Sequence, residues 1–467
     1  MRAKFRPYAD ILNIAAPIIG IQFAQVALTS TDLFMMGFLG IHQVAAGGLA
    51  LLLYNQLRTM SVGMVTSVGN IIAATVGRGE NQSGAHSLDE PTADAVQNLL
   101  RSSMLLATLT AAIAALLMVG LGMCLNLLGQ EEDIAALALP IMLTLAPGLI
   151  PMLWLNVLRQ FAVGMRRAGS LMMVTLISVI INASLNLIFI FGLLGMPKLG
   201  LAGIGLSTTL VQLTNFLIYW RIISCDKQLC PLLAFNPCRA TWASLVKIAR
   251  MGLPISLTYG SEAAITSIAT VLIGTFGPIA LAASNIVNQL AYIVYQFNIG
   301  LSHGSSILVS RTFAQGNIDT LSAIAKRSFI LSFSTMTLIA LIYIFIPQAV
   351  LQPFIKPDQN PAVFGYAAVL LWFAIAHQFL KGSQNICIGL MRGLGNTRAG
   401  LTKTMIGYWL VGIPVMFMSN HLTLWGAYGI WGGLCLGFGV TSLLLWWQFS
   451  RQLQEMKTFP TTISSFI

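Results

Sequence analysis

The sequence predicts an all-α polytopic membrane protein, with twelve transmembrane helices in two six-helix lobes related by a parallel repeat. Three observations predict it. Of 467 residues, 56% are hydrophobic and only 8% charged, where a soluble domain carries roughly 25% charged residues. Nearly all the length lies in apolar runs of 20 or more residues. Such runs cross about 30 Å of hydrocarbon at about 1.5 Å per helical residue. Finally, the chain matches itself at a shift of 237 positions.

The expected spans are 8–39, 45–77, 95–128, 134–162, 168–194, 199–222, 250–277, 280–313, 320–347, 361–391, 397–419 and 424–450. Met1 to Arg6 carries three basic residues and runs into an apolar stretch too long for a cleavable signal peptide, so the first helix is expected to be retained. With the N-terminus in the cytoplasm, 21 of the 25 basic residues fall on the inner side or at inner helix ends, including Arg166, Arg167, Lys326, Arg327, Arg392 and Arg398. Only Lys198 and Lys356 fall outside, and Arg58 and Lys381 fall within spans. That bias places both termini in the cytoplasm. The net charge of +11 is spread over loops, so no nucleic-acid surface is expected.

Residues 17–79 align with 254–316 without a gap. Pro17 meets Pro254, and Gly37, Gly40, Gly63 and Gly79 meet Gly274, Gly277, Gly300 and Gly316. Six spans per half is an even number, so both halves enter from the same side, which makes the repeat parallel. The expected division is an amino lobe 1–223, a polar linker 224–249 and a carboxy lobe 250–467.

The polar residues inside the spans carry the function. On the first helix Gln22, Gln25, Thr29 and Asp32 share one face, a polar stripe ending in a carboxylate. A charge in hydrocarbon costs several kcal/mol or more, so such a residue faces a protein interior or a water-filled cavity. Only Asp32 and Glu262 among the 14 acidic residues lie deep in spans. Lys381 lies on the tenth helix, with His377 and Gln384 on its face. Glu262 and Lys381 each sit about ten residues from an inner helix end, roughly 15 Å deep, and so are natural partners. The eighth helix presents Asn285, Gln289, Tyr292 and Gln296 on one face, and the fifth carries Asn182 and Asn186 four apart. Against these readings, intramembrane Asn and Gln often only join helices, and Arg58 has the alternative of snorkelling outward.

The cysteines Cys124, Cys225, Cys230, Cys238, Cys387 and Cys435 suggest no disulfide framework, and the three in one loop fit no zinc spacing, so no metal site or cofactor is expected. No GxxxxGK[ST] or HExxH motif occurs, which points away from an enzyme and towards secondary transport driven by an ion gradient.

Pro17 with Thr31-Asp32-Leu33-Phe34-Met35-Met36-Gly37, Gly-Leu-Gly-Asn-Thr at 393–397, the seventh-helix Glu262 and the pair Asn182/Asn186 resemble the multidrug and toxic compound extrusion (MATE) family, its NorM-like branch above all. The likeness covers essentially the whole chain. It implies a monomer in the inner membrane, built as a V-shaped pair of six-helix bundles in contact with lipid. It implies export of lipophilic organic cations by alternating access in exchange for H⁺ or Na⁺, with H⁺ favoured here. Asp32, Asn182, Asn186 and Thr208 match the family's amino-lobe cation or proton site, and Glu262 its carboxy-lobe site. Where the family often has a tenth-helix aspartate, this chain has Lys381. The alternative within the same superfamily is a lipid-linked oligosaccharide flippase or another metabolite exporter.

Overall fold

The computed structural model describes residues 2–83, 89–128, 132–167, 169–233, 240–355, 360–422 and 425–458. Among these the chain is helical almost throughout and has no strand. Twelve long helices follow in order: α1 (Arg2–Gly37), α2 (Ile41–Ser83), α3 (Glu90–Met123), α4 (Glu132–Gly164), α5 (Gly169–Phe191), α6 (Leu201–Cys225), α7 (Trp242–Gly274), α8 (Pro278–Ala314), α9 (Ile318–Phe345), α10 (Pro361–Gly393), α11 (397–422) and α12 (Gly426–Thr458). They correspond one for one to the expected spans. α1 and α7 begin earlier than hydropathy places them: Arg2, Lys4 and Arg6 open α1 and Lys247 lies near the start of α7, and lysine and arginine are good helix formers but poor membrane residues.

Among the described residues, ten helices are both long and apolar enough to cross a membrane. α7 and α8 have the length, 33 and 37 residues. They carry more polar side chains, Glu262 on the first and Asn285, Gln289, Gln296 and Asn298 on the second. Two irregularities among the described residues lie within helices, and a third feature recurs between them. α4 tightens to a 3₁₀ turn at Ala146–Gly148, which has Pro147 at its centre. α11 passes through a π-helical segment, Met405–Gly412. The repeat mates Gly40 and Gly277 both adopt positive φ, +115° and +99°, a conformation only glycine takes at little cost. Each lets the next helix start within a few residues of the last.

The chain forms two compact units, Gly20–Ser256 and Met1–Ile19 with Leu257–Ile467. The expected lobes met at a linker 224–249; these units instead divide inside α1 and inside α7. Close backbone approach explains both divisions. In the first unit a Cβ on Gly63 of α2 would lie 2.7 Å from the Cα of Ser256 on α7. In the second, a Cβ on Gly300 of α8 would lie 2.8 Å from the backbone nitrogen of Ile19 on α1. Gly63 and Gly300 are repeat mates, and so are Ile19 and Ser256.

Within Gly20–Ser256, α2 packs against α3 and α4, and α5 against α6. Ile72, Leu100, Met118, Phe161, Tyr219 and Ile248 are fully buried in its core. Within the other unit α10 lies against both α8 and α12, around a core that includes Ile265, Tyr408, Trp431 and Phe438. Outside the spans, Arg167 after α4 donates to Asp226 Oδ2 at 2.9 Å and to Gln228 Oε1 at 2.7 Å. Asp226 Oδ1 accepts the backbone N–H of Gln228. Cys238 and Lys356 lie outside the described residues.

Candidate functional site

Asp32 lies five residues before the end of α1 and is 4% exposed. Its carboxylate is held on both oxygens: Asn186 Nδ2 donates to Oδ1 at 2.8 Å and Thr208 Oγ1 donates to Oδ2 at 3.1 Å. The same Asn186 nitrogen donates to Asn182 Oδ1 at 3.2 Å, which accounts for both its hydrogens. Among the described residues, Asn186 Oδ1 is buried with no hydrogen-bond partner. The four residues matched to an amino-lobe site are therefore together, on α1, α5 and α6. They offer carboxylate and amide oxygens, a donor set suited to a proton or a small hard cation. Among the described residues, no group of three His, Cys, Asp or Glu side chains is placed to hold a metal ion.

Asp32 forms part of the wall of a cleft enclosing about 770 Å³, counting its open mouth. The cleft lies wholly within Gly20–Ser256. Gln25 and Thr29 line it, as the stripe on α1 predicts; Gln22 does not. The Thr29 hydroxyl is turned to its own helix, donating to the Gln25 carbonyl at 3.1 Å. Arg58 lines the cleft instead of snorkelling away from it. The sequence reading passed over several wall residues. On α2, Tyr54 and Asn55 precede Arg58 by four and three. On α4, Asn156 precedes Arg159 by three, and the guanidinium donates to the Asn156 side-chain oxygen. On α6, Gln212 and Asn215 follow Thr208 by four and seven. These are helix-face spacings, a signal present in the sequence once Thr208 is taken as its origin.

The second unit holds the other buried charges. Lys381 Nζ of α10 lies 3.1 Å from Glu262 Oε1 of α7, with the two side chains 12% and 13% exposed. The ammonium also stands 4.1 Å from the ring centroid of Tyr295 and 5.1 Å from that of Phe438. Carboxylate and ring faces together form a cation site, and the chain's own lysine fills it. Gln384 donates to the Tyr408 hydroxyl at 2.5 Å, within the π-helical segment of α11.

The other expected cavity residues are not among those lining this cleft. His377 and Gln384 are buried, at 5% and 1% exposure, and His377 packs edge-on to Phe438 and Trp431. Asn285, Gln289 and Tyr292 are exposed, whereas Gln296 on the same helical face is buried. The face is continuous but its neighbours change: the later half of α8 sinks among buried serines and apolar residues. A helix's own periodicity does not carry that information.

The MatE family model matches twice, over residues 17–188 and 254–418. The two matches start 237 residues apart, the shift of the internal repeat. The chain belongs to the MATE family. A probable multidrug resistance protein NorM of Pseudomonas aeruginosa is 32% identical over 455 residues, which covers 95% of this chain and 90% of the relative. A probable NorM of Rhizobium meliloti is 29% identical over 453 residues, covering 96% and 94%. Among solved structures, a multidrug resistance MATE transporter in an outward-facing conformation superposes with a TM-score of 0.84 at 17% identity, covering 97% of both chains. This MATE chain is thus a NorM-like, multi-pass membrane transporter of the multidrug efflux type, and its substrates are small molecules.

Proposed function

We propose that this MATE transporter exports lipophilic organic cations in exchange for protons, as a monomer in the inner membrane with both termini in the cytoplasm. The observation that carries the coupling reading is the Lys381–Glu262 pair at 3.1 Å. A tethered ammonium occupies the place where a second carboxylate would help to bind Na⁺. Glu262 is already neutralised, so Asp32 is the one deep carboxylate left to exchange ligands.

Its chemistry suits a competition. Ionised, Asp32 accepts from Asn186 and Thr208 and attracts a cation entering the cleft. Protonated, it loses its charge and the attraction with it. A proton arriving from the outer side would displace the drug, and proton release to the inner side would restore the site. Reciprocity requires the proton and the drug to weaken each other's binding by the same factor.

The test is drug efflux from proteoliposomes under an imposed pH gradient or an imposed Na⁺ gradient. A pH gradient should drive transport without Na⁺, and Asp32→Asn should abolish it in a protein that still folds. Strict Na⁺ dependence, or full activity in Asp32→Asn, overturns the proposal.

A further inference from the structure

The cleft beside Asp32 holds more positive charge than a plain cation site needs. Arg58 and Arg159 both line it, whereas Asp32 is its one acidic wall residue among the described residues. Arg159 is 8% exposed, and its guanidinium is positioned by the side-chain oxygen of Asn156. Arg58 Nε is buried and has no hydrogen-bond partner among the described residues. With Asp32 ionised, the walls carry one negative and two positive charges. A simple organic cation entering would raise the excess positive charge; a carboxylate would reduce it. Guanidinium groups present donors in a planar fork that suits a carboxylate's two oxygens.

We propose that the cleft contains a carboxylate subsite formed by Arg58 and Arg159, and that preferred substrates are zwitterionic amphiphiles. Their cationic group goes to Asp32 and their carboxylate to the two guanidiniums. This rests on the export reading and narrows it: among lipophilic cations, those that also carry an acid group are favoured. Asn156 acts as a positioning residue, holding Arg159 for that contact. Tyr54, Asn55, Gln212 and Asn215 supply the polar walls around it.

The experiment uses a matched pair of dyes with one xanthene cation, rhodamine 19 with a free carboxylate and rhodamine 6G, its ethyl ester. Binding to the purified full-length protein is followed by fluorescence polarisation at neutral pH. Rhodamine 19 should bind at least tenfold more tightly. Arg58→Met should reduce that preference tenfold or more by weakening rhodamine 19, without weakening rhodamine 6G, since a like charge has been removed. Arg58→Lys, which keeps the charge, should retain most of the preference. Arg159→Met should act as Arg58→Met does, and binding of the ester reports whether the variant is folded. Equal affinities in the unmutated protein, no binding of either dye, or a preference that survives both methionine variants overturns the subsite. Parallel efflux measurements separate this from the export reading. Export of both dyes without preference sinks the subsite alone, and preferential binding without export sinks the export reading alone.

Discussion

Lys381 is the residue on which the coupling reading turns. Removing one partner from a fully buried ion pair costs about 3–5 kcal/mol. Both side chains here keep roughly an eighth of their surface, so the cost for Lys381→Ala falls below that range. Lys381→Ala should lower the melting temperature of the purified protein and its transport activity, because it leaves Glu262 uncompensated. The double variant Lys381→Met with Glu262→Gln should recover the melting temperature, because neither partner is then left as an unpaired charge. Full stability of Lys381→Ala alone would show that the pair contributes nothing. Asp226 makes a second residue-level prediction. Its partial burial pushes the carboxyl up, but the backbone N–H groups of Gln228 and Leu229 and the Arg167 guanidinium outweigh burial and hold it below the ordinary range. A carboxyl depressed by folding stabilises at any pH above its unfolded value, about 3.9, and loses that contribution as pH falls through the folded value. The melting-temperature gap between the unmutated protein and Asp226→Asn should therefore stay constant from pH 8 to about 5 and close only below about pH 4. Asp32, Glu262 and Lys381 were legible in the sequence because a charge in an apolar run stands out. Arg159 was not, because five residues from the end of α4 it looks like an ordinary charge at the membrane surface.

At the scale of the element, helix faces and glycines carry the information. The twelve helices could be read directly from hydropathy, and the stripe on α1 led to the cleft. Which side of α8 is covered could not be read, because its burial is decided by α10 rather than by its own spacing. The repeat glycines make the sharpest test. A Cβ on Gly63 or Gly300 would meet neighbouring backbone at 2.7 or 2.8 Å, and overpacking of that kind costs about 1–3 kcal/mol. Gly63→Ala and Gly300→Ala should each lower the melting temperature, while Gly48→Ala and Gly432→Ala, with nothing within 4 Å of the new carbon, should not. Equal behaviour of all four variants would contradict the close-approach account.

On the scale of the molecule, the sequence shows the repeat but not the exchange of helix ends between units. That exchange depends on contacts between positions far apart in the chain. It predicts that a fragment ending at residue 241 lacks part of its core, including fully buried Ile248, whereas one ending at 256 is complete for the unit Gly20–Ser256. Membrane abundance and protease resistance should rise sharply between the two fragments. The same exchange has a consequence in time. Met1–Ile19 is synthesised well before Leu257, yet its unit cannot form until residues after 256 exist. Ile19 waits for Gly300, and at about 5–20 residues per second that delay is on the order of tens of seconds. The other unit is complete as soon as Ser256 has been made. The amino-terminal half of α1 thus emerges early and docks late, and during translation its small-residue face at Ala15 has to be sheltered by lipid or by the insertion machinery before Gly304 arrives to cover it.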